Sequence, residues 1–173
     1  MSSFDNLWDA YTKTAEAHQQ SKENCFGFIP DFISRLLQAL DWPTEQAFLR
    51  KTEKEKFVEY KDARKSLEKF LAPTTPATWQ FELQLVLWKK VAPTQGLYPL
   101  KLVIPISVSK DQDDFGVTVT TSEQGAREFK IRQTGADQFQ DLYKFLLSAM
   151  LQRVQHSIHW EMEVEGSDEP LIL

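Results

Sequence analysis

The chain of 173 residues is short of several things, and each shortage removes a class of function. Cys25 is its single cysteine, so no intramolecular disulfide can form and the stapled framework of small secreted domains is excluded. A reducing compartment, the cytoplasm, is the expected location. No apolar run approaches the ~20 residues of a membrane-crossing helix. The opening Met-Ser-Ser-Phe-Asp also lacks the basic segment and apolar stretch of a secretion signal. Neither secretion nor a membrane span is therefore expected. The six glycines, Gly27, Gly96, Gly116, Gly125, Gly135 and Gly166, are never clustered, so a phosphate-cradling glycine loop is absent. Positive charge is in deficit as well. The net charge is -5 and the pI near 5.3, which works against attraction to a nucleic-acid backbone, and no nucleic-acid partner is expected.

What is present is an ordinary globular composition with a large aromatic share. Hydrophobic residues make up 42% and charged residues 26%, values that suit a chain able to bury a single core. Five Trp and twelve Phe provide either a well-filled core or an aromatic contact surface.

Periodicity predicts an α+β fold in one domain. Residues 1–71 read as a helical part. Ser2 or Ser3 can cap a first helix whose Phe4, Leu7, Trp8, Tyr11 and Ala15 share one face, fading in the polar stretch from Gln19 to Asn24. A second helix is expected from Pro30 and Asp31, with Phe32, Ile33, Leu36, Leu37 and Leu40 buried and Pro43 as its end. The alternating charges from Thr44 to Leu71, over a thinner apolar face, predict one or two surface helices. Residues 72–77, with Pro73 and Pro76, read as a hinge.

Residues 78–134 carry the period of strands. Trp79, Phe81, Leu83, Leu85 and Leu87 alternate with polar residues, and Leu100, Leu102, Ile104, Ile106 and Val108 do the same. Setting Leu87 opposite Leu102 and Leu83 opposite Ile106 makes a hairpin with one apolar face. A second hairpin sets Val117 opposite Ile131 and Val119 opposite Phe129, leaving Glu123-Gln124-Gly125 as a loop with glycine for a left-handed position. Pro105 requires an edge or a bulge. The expected sheet is thus four-stranded and antiparallel, with a fifth strand if Ile158–Val164 is extended. A long helix at 135–158 should lie on it through Phe139, Leu142, Leu146, Ala149 and Met150. Its second stripe, Leu147, Leu151, Val154 and Ile158, is a candidate homodimer contact. An acidic tail, 165–173, follows.

Asp114-Phe115-Gly116 copies a kinase triplet without the glycine-rich loop, strand lysine or catalytic loop that would give it meaning. Asp111, Asp113 and Gly116 echo the start of a calcium loop, but Phe115 and Ser122 stand where that loop needs oxygen ligands and a bidentate glutamate. His156, His159 and Glu163 would share a face on a continuous helix, a possible metal set that a strand would break up. Cys25 has no evident orienting partner and reads as a small buried residue. Glu128-Phe129-Lys130 resembles the Glu-x-Lys of the PD-(D/E)xK nuclease superfamily, which implies a Mg²⁺ site shared with an acid on a neighbouring strand. In the inferred register Thr120 faces Glu128, and Asp113 and Asp114 lie roughly 15 to 20 Å away. Glu82 is the one other strand acid that could complete such a site.

These eliminations favour a non-catalytic protein-binding or regulatory domain with no cofactor and no metal. The alternatives are a small-molecule-binding domain and, behind it, the metal-dependent nuclease. The candidate partner surface is the outer face of the first hairpin. There Val86 is set opposite Val103 and Trp88 opposite Lys101, with Leu97 and Tyr98 supplied by the connecting loop.

Overall fold

The computed structural model describes residues 3–75, 77–90, 97–122, 124–133, 137–161 and 171–172. Of these, 88–90, 97–98, 111, 156–161 and 171–172 are described by backbone placement alone. The expected α+β fold, with a helical start and a C-terminal helix, is present, but the sheet is larger than four or five strands.

The chain opens with a single 37-residue helix, α1 (Ser3–Ala39), in place of the two helices expected. The polar stretch does not interrupt it. Gln19 donates to Glu23 and Gln20 to Asn24 across single turns, and the apolar stripe resumes at Cys25 without losing phase. Pro30 lies inside the helix, where its missing N–H removes one intrahelical bond. Burial on both sides of it, at Phe28, Ile29, Phe32 and Ile33, holds the helix through that defect. The Tyr60 hydroxyl, 3.0 Å from the Pro30 carbonyl, donates to it.

The surface helices expected over residues 44–71 give way to short elements. A 3-10 turn (Thr44–Gln46) leads into β1 (Ala47–Arg50), which pairs with β2 (Val58–Glu59). A single turn of helix, α2 (Tyr60–Ala63), and a 3-10 segment (Arg64–Phe70) follow. Ala47 and Leu49 alternate with Phe48 and Arg50, a strand signal only four residues long that becomes legible once the neighbouring long strand offers its edge. The expected hinge is likewise a strand, β3 (Ala72–Thr75), where Pro73 is tolerated at a sheet edge.

Two long strands form the spine: β4 (Thr78–Lys90) and β5 (Leu97–Asp111). β1 and β3 lie end to end along the outer side of β4, at residues 82–85 and 78–80. Along the outer side of β5, β6 (Asp114–Thr121) occupies residues 106–111 and then pairs with β7 (Gly125–Ile131). Seven strands are antiparallel, and a short β8 (Leu171–Ile172) runs parallel to β5 at Leu102 and Val103. Pro105 is accommodated because β6 stops pairing at Ile106 and β8 at Val103, so no ladder is lost on that side. Gly125 adopts φ +70°, the left-handed conformation expected of it.

Both hairpins form with the expected faces and a different register. Leu87 stands opposite Leu100 and Leu83 opposite Ile104, while Val117 stands opposite Phe129 and Phe115 opposite Ile131. Each ladder is displaced by two residues from the expected one. Because side chains alternate with period two, such a displacement leaves every residue on its face and changes only the partners.

One continuous core fills the space between the sheet and the helices. It is built from Trp79, Phe81, Leu83 and Leu85 on β4 with Leu102 to Val108 on β5, against the second half of α1 and against α3 (Phe139–Glu161). The α3 stripe of Phe139, Leu142, Leu146, Ala149 and Met150 is buried as expected. The helix continues through Glu161, so Ile158 to Glu161 is helical; Met162 to Val164 and the tail up to Pro170 lie outside the described residues.

Candidate contact surfaces

A polar junction centred on the enclosed Asp137 side chain joins the helices to the sheet edge and sets the frame for the surfaces. The Asp137 carboxylate receives the Arg35 guanidinium at 2.6 and 3.1 Å, the backbone N–H of Phe139 at 3.1 Å and that of Arg132 at 3.3 Å. It therefore satisfies one of the orphan donors at the start of α3 while tying α1 to the end of β7. The Arg35 guanidinium also lies over the Phe139 ring at 3.9 Å. Burial pushes the Asp137 carboxyl upward, but the bonds from Arg35, Phe139 and Arg132 outweigh it and hold the carboxyl below the ordinary carboxylate value. Gln138 extends the junction: its side-chain oxygen accepts the Lys130 N–H at 2.7 Å, and its own N–H donates to the Lys130 carbonyl at 3.0 Å. The free edge of β7 is closed there. Asp137 was not singled out in the sequence, where the helix was expected from residue 135; with α3 starting at Phe139, an acid two residues ahead is the signal that marks it.

The opposite face of the sheet is polar and partly covered. Arg50 pairs with Glu82, donates to the Glu53 carbonyl at 3.2 Å and lies over the Phe57 ring at 4.4 Å, so the 51–57 segment folds over Glu82. Farther along the same face, Val86 and Val103 are buried at 6% and 1% exposure, and Lys101 is half-buried. Val86 pairs with Lys101 and Val103 with Gln84, where Val86 was expected to face Val103. The backbone of Trp88 pairs with Pro99 and that of Lys90 with Leu97; the side chains of Trp88, Leu97 and Tyr98 lie outside the described residues. Beyond Leu85 and Leu102 the β4–β5 hairpin continues without β1 or β8, as a two-stranded arm among the described residues. Leu87, on its core-side face, is 40% exposed.

The register also separates the residues of the Glu-x-Lys motif from other acids. Glu128 stands opposite Thr118, with its carboxylate above Gly116. Glu82 is three strands away, about 14 Å at the usual strand spacing, and is engaged by Arg50. Asp114 is engaged by Arg132, whose hydrogen bond holds its carboxyl low. Among the described residues no group of three or more His, Cys, Asp or Glu could hold a metal ion. The side chains of His156 and His159, and Glu163 altogether, lie outside them. Cys25 is fully buried, and burial raises its thiol pKa, which keeps it protonated.

The first half of α1 carries a surface of another kind. His18 stacks on Trp79 at 5.7 Å, Phe26 meets the same indole at 5.0 Å, and Phe28 stacks on Phe115 at 3.9 Å, so residues 18–28 cover the end of the sheet where β4 begins. Before His18 the helix runs past that end for about 22 Å, from Ser3 to Ala17. On this projecting part Phe4, Leu7, Trp8 and Tyr11 are 59 to 71% exposed. Phe4 stacks on Trp8 at 6.4 Å and Trp8 meets Tyr11 at 5.9 Å, so the stripe is a contiguous aromatic surface. Where it approaches the body, Tyr11, Thr14, Ala15 and His18 form one wall of an open groove of about 430 Å³; β3, from Pro73 to Thr75, forms the other. The residues of this stripe were legible as one helix face, yet nothing in their spacing says that the face is bare, because an apolar stripe is written alike whether it meets a sheet or water.

Comparison with protein-family models, with curated proteins and with solved structures gave no match for this chain. Among the described residues no helix is long and apolar enough to cross a membrane.

Proposed function

We propose that this chain is a non-catalytic protein-binding domain and that the projecting half of α1 is its contact element. The observation that carries this reading is the aromatic stripe Phe4, Leu7, Trp8 and Tyr11, left in water on a helix whose other half is anchored in the core. A contiguous apolar patch of several hundred Å² on a folded domain marks a contact site far more often than an unused surface. Aromatic side chains are the residues that carry binding energy at such sites.

The two other candidate surfaces have less in their favour. On the β4–β5 arm the valines meant to form the centre of the patch are already covered. On α3, Leu151 is 53% exposed while Leu147 and Val154 are half-buried, so the second stripe offers a single open apolar side chain among the described residues.

The test pairs stability with binding. Alanine at Phe4, Trp8 and Tyr11 together should leave the thermal midpoint within about 2 °C of the native value, since exposed side chains contribute little to folding. The same triple variant should lose proteins retained by the native chain in affinity capture, each then confirmed by titration with the purified protein. A midpoint lowered by about 8 °C or more would make the stripe structural; identical retention by both chains would remove it as the contact element.

A further inference from the structure

The stripe has a spacing that specifies its own partner. Phe4, Trp8, Tyr11, Ala15 and His18 follow one another at intervals of four, three, four and three residues, and the same alternation continues through Lys22 to Cys25, Ile29, Phe32 and Leu36. That is a heptad seam sustained along the whole helix. Its second half is spent on the sheet; its first half lies open. The positions flanking the open seam are Asp5, Thr12 and Gln19 on one side and Leu7, Thr14 and Ser21 on the other, with the remaining charges, Asp9, Lys13 and Glu16, turned away. One charge in six flanking positions leaves little repulsion between identical helices.

Building on the contact element proposed above, we infer that the partner of this stripe is a second copy of the chain, its α1 packed antiparallel against the first. A parallel pair is excluded by the body of the protein. The seam face is the face that turns onto the chain's own sheet from His18 onward, so two parallel helices would drive the two sheets into each other. Antiparallel helices overlap along their projecting halves and place the bodies at opposite ends, related by a twofold axis.

The residue sizes fit that arrangement. Antiparallel seams oppose the two kinds of seam position, which sets Trp8 against the partner's Tyr11 and Phe4 against the partner's Ala15. The largest open side chain near the helix start thus meets the smallest near the body. Ala15 also lines the groove beside Pro73–Thr75, so the partner's Phe4 enters a ready-made recess flanked by Tyr11 and His18. The area agrees with a reversible association. Three aromatic residues of roughly 150–250 Å² each, about two-thirds open, together with Leu7, offer roughly 400–600 Å² per copy. A pair would bury about 1,000 Å² in all, the low end for specific complexes and the size of a reversible contact. Lipid is the poorer occupant, because residues 3–20 carry Asp5, Asp9 and Glu16 against Lys13 alone, the reverse of a basic membrane-surface helix.

Sedimentation of the full chain across a micromolar concentration series should show mass rising from 20.1 kDa toward twice that value. Ala15→Arg, at an exposed helix position that closes the recess with a charge, should abolish the rise with no change in thermal midpoint. Trp8→Ala should weaken association by at least about 10-fold. Leu151→Lys on α3 should leave it intact. Mixing Asp5→Cys chains with Thr12→Cys chains under mild oxidation should yield the mixed disulfide ahead of either self-pair, as antiparallel flanks require. A strict monomer across the series overturns the inference, as does a dimer abolished by Leu151→Lys and indifferent to Ala15→Arg. Flotation of a monomeric chain with phosphatidylcholine vesicles, lost in the Trp8→Ala variant, would assign the stripe to lipid and overturn it too. A monomer that still retains other proteins through the stripe refutes the second copy alone and leaves the contact element standing; a monomer that retains none refutes both.

Discussion

Replacement of Asp137 by alanine tests whether the helices are held to the sheet by the junction at the start of α3. The side chain is 5% exposed and accepts from four donor groups, two of them the backbone N–H groups of Phe139 and Arg132. Loss of the acceptor at the helix start costs about 1 kcal/mol. Leaving the Phe139 and Arg132 N–H groups short of a partner costs about 1 kcal/mol more, reduced where water reaches them. The Arg35 guanidinium is 43% exposed and rehydrates when its partner leaves, so the ion pair adds only a fraction of a kcal/mol. The expected loss is about 2–3 kcal/mol, read as a lowered urea midpoint at unchanged slope, or as a fall of about 5–10 °C in thermal midpoint. Arg35→Ala should cost about 1 kcal/mol or less. Acid provides an independent reading. The Asp137 carboxyl is held below its ordinary value near 3.8, so its contribution is complete above that pH and is lost as the pH falls through the depressed value. Native stability should therefore fall more steeply than that of Asp137→Asn below about pH 4. An Asp137→Ala variant no less stable than Arg35→Ala would refute the reasoning, since the backbone bonds would then contribute nothing.

Two further outcomes follow from burial and register. Cys25 should resist a thiol reagent in the native state and react at the rate of a free thiol only in denaturant, because the group is enclosed and its pKa is raised; rapid native labelling would show that α1 opens around it. Glu128→Ala with Lys130→Ala should change stability by less than about 0.5 kcal/mol, both being exposed on β7, and no nucleic-acid cleavage should appear with Mg²⁺ or Mn²⁺; metal-dependent cleavage abolished by Glu128→Ala would establish the nuclease reading instead.

The parts of the fold legible in the sequence were those where a single period persists over many residues. The α3 stripe, the alternation of β4 and β5 and the left-handed Gly125 are of this kind. The register was not legible, because a displacement of two residues preserves every apolar face and the loop between β4 and β5 contains no turn signal strong enough to choose. The small strands were missed for a different reason. Ala47–Arg50 and Ala72–Thr75 acquire their conformation from the exposed sides of β4, a tertiary cause that local propensity does not record. Pro30 misled in the opposite direction: the residue that best announces a helix start sits mid-helix because buried neighbours outweigh one lost hydrogen bond. At the surfaces the types of residue were readable and their exposure was not. Val86 and Val103 were expected in a contact surface and are covered, whereas Phe4 and Trp8 were legible only as one helix face and are bare.

The unbroken length of α1 gives its open half a graded order. A free segment of eighteen residues with two threonines and a histidine would be only marginally helical in water, because starting a helix is costly and extending one is cheap. Here the start has already been made by the core, and the projecting turns are additions to a helix nucleated at Cys25 to Leu37. Order should then decay outward, turn by turn, from His18 to Ser3, with amide exchange accelerating in the same direction along one continuous element. Whatever closes on Phe4 and Trp8 must complete those last turns as it binds, so affinity at the tip depends on packing some thirty residues away: a cavity made at Phe32 would loosen the grip at Phe4 without touching it.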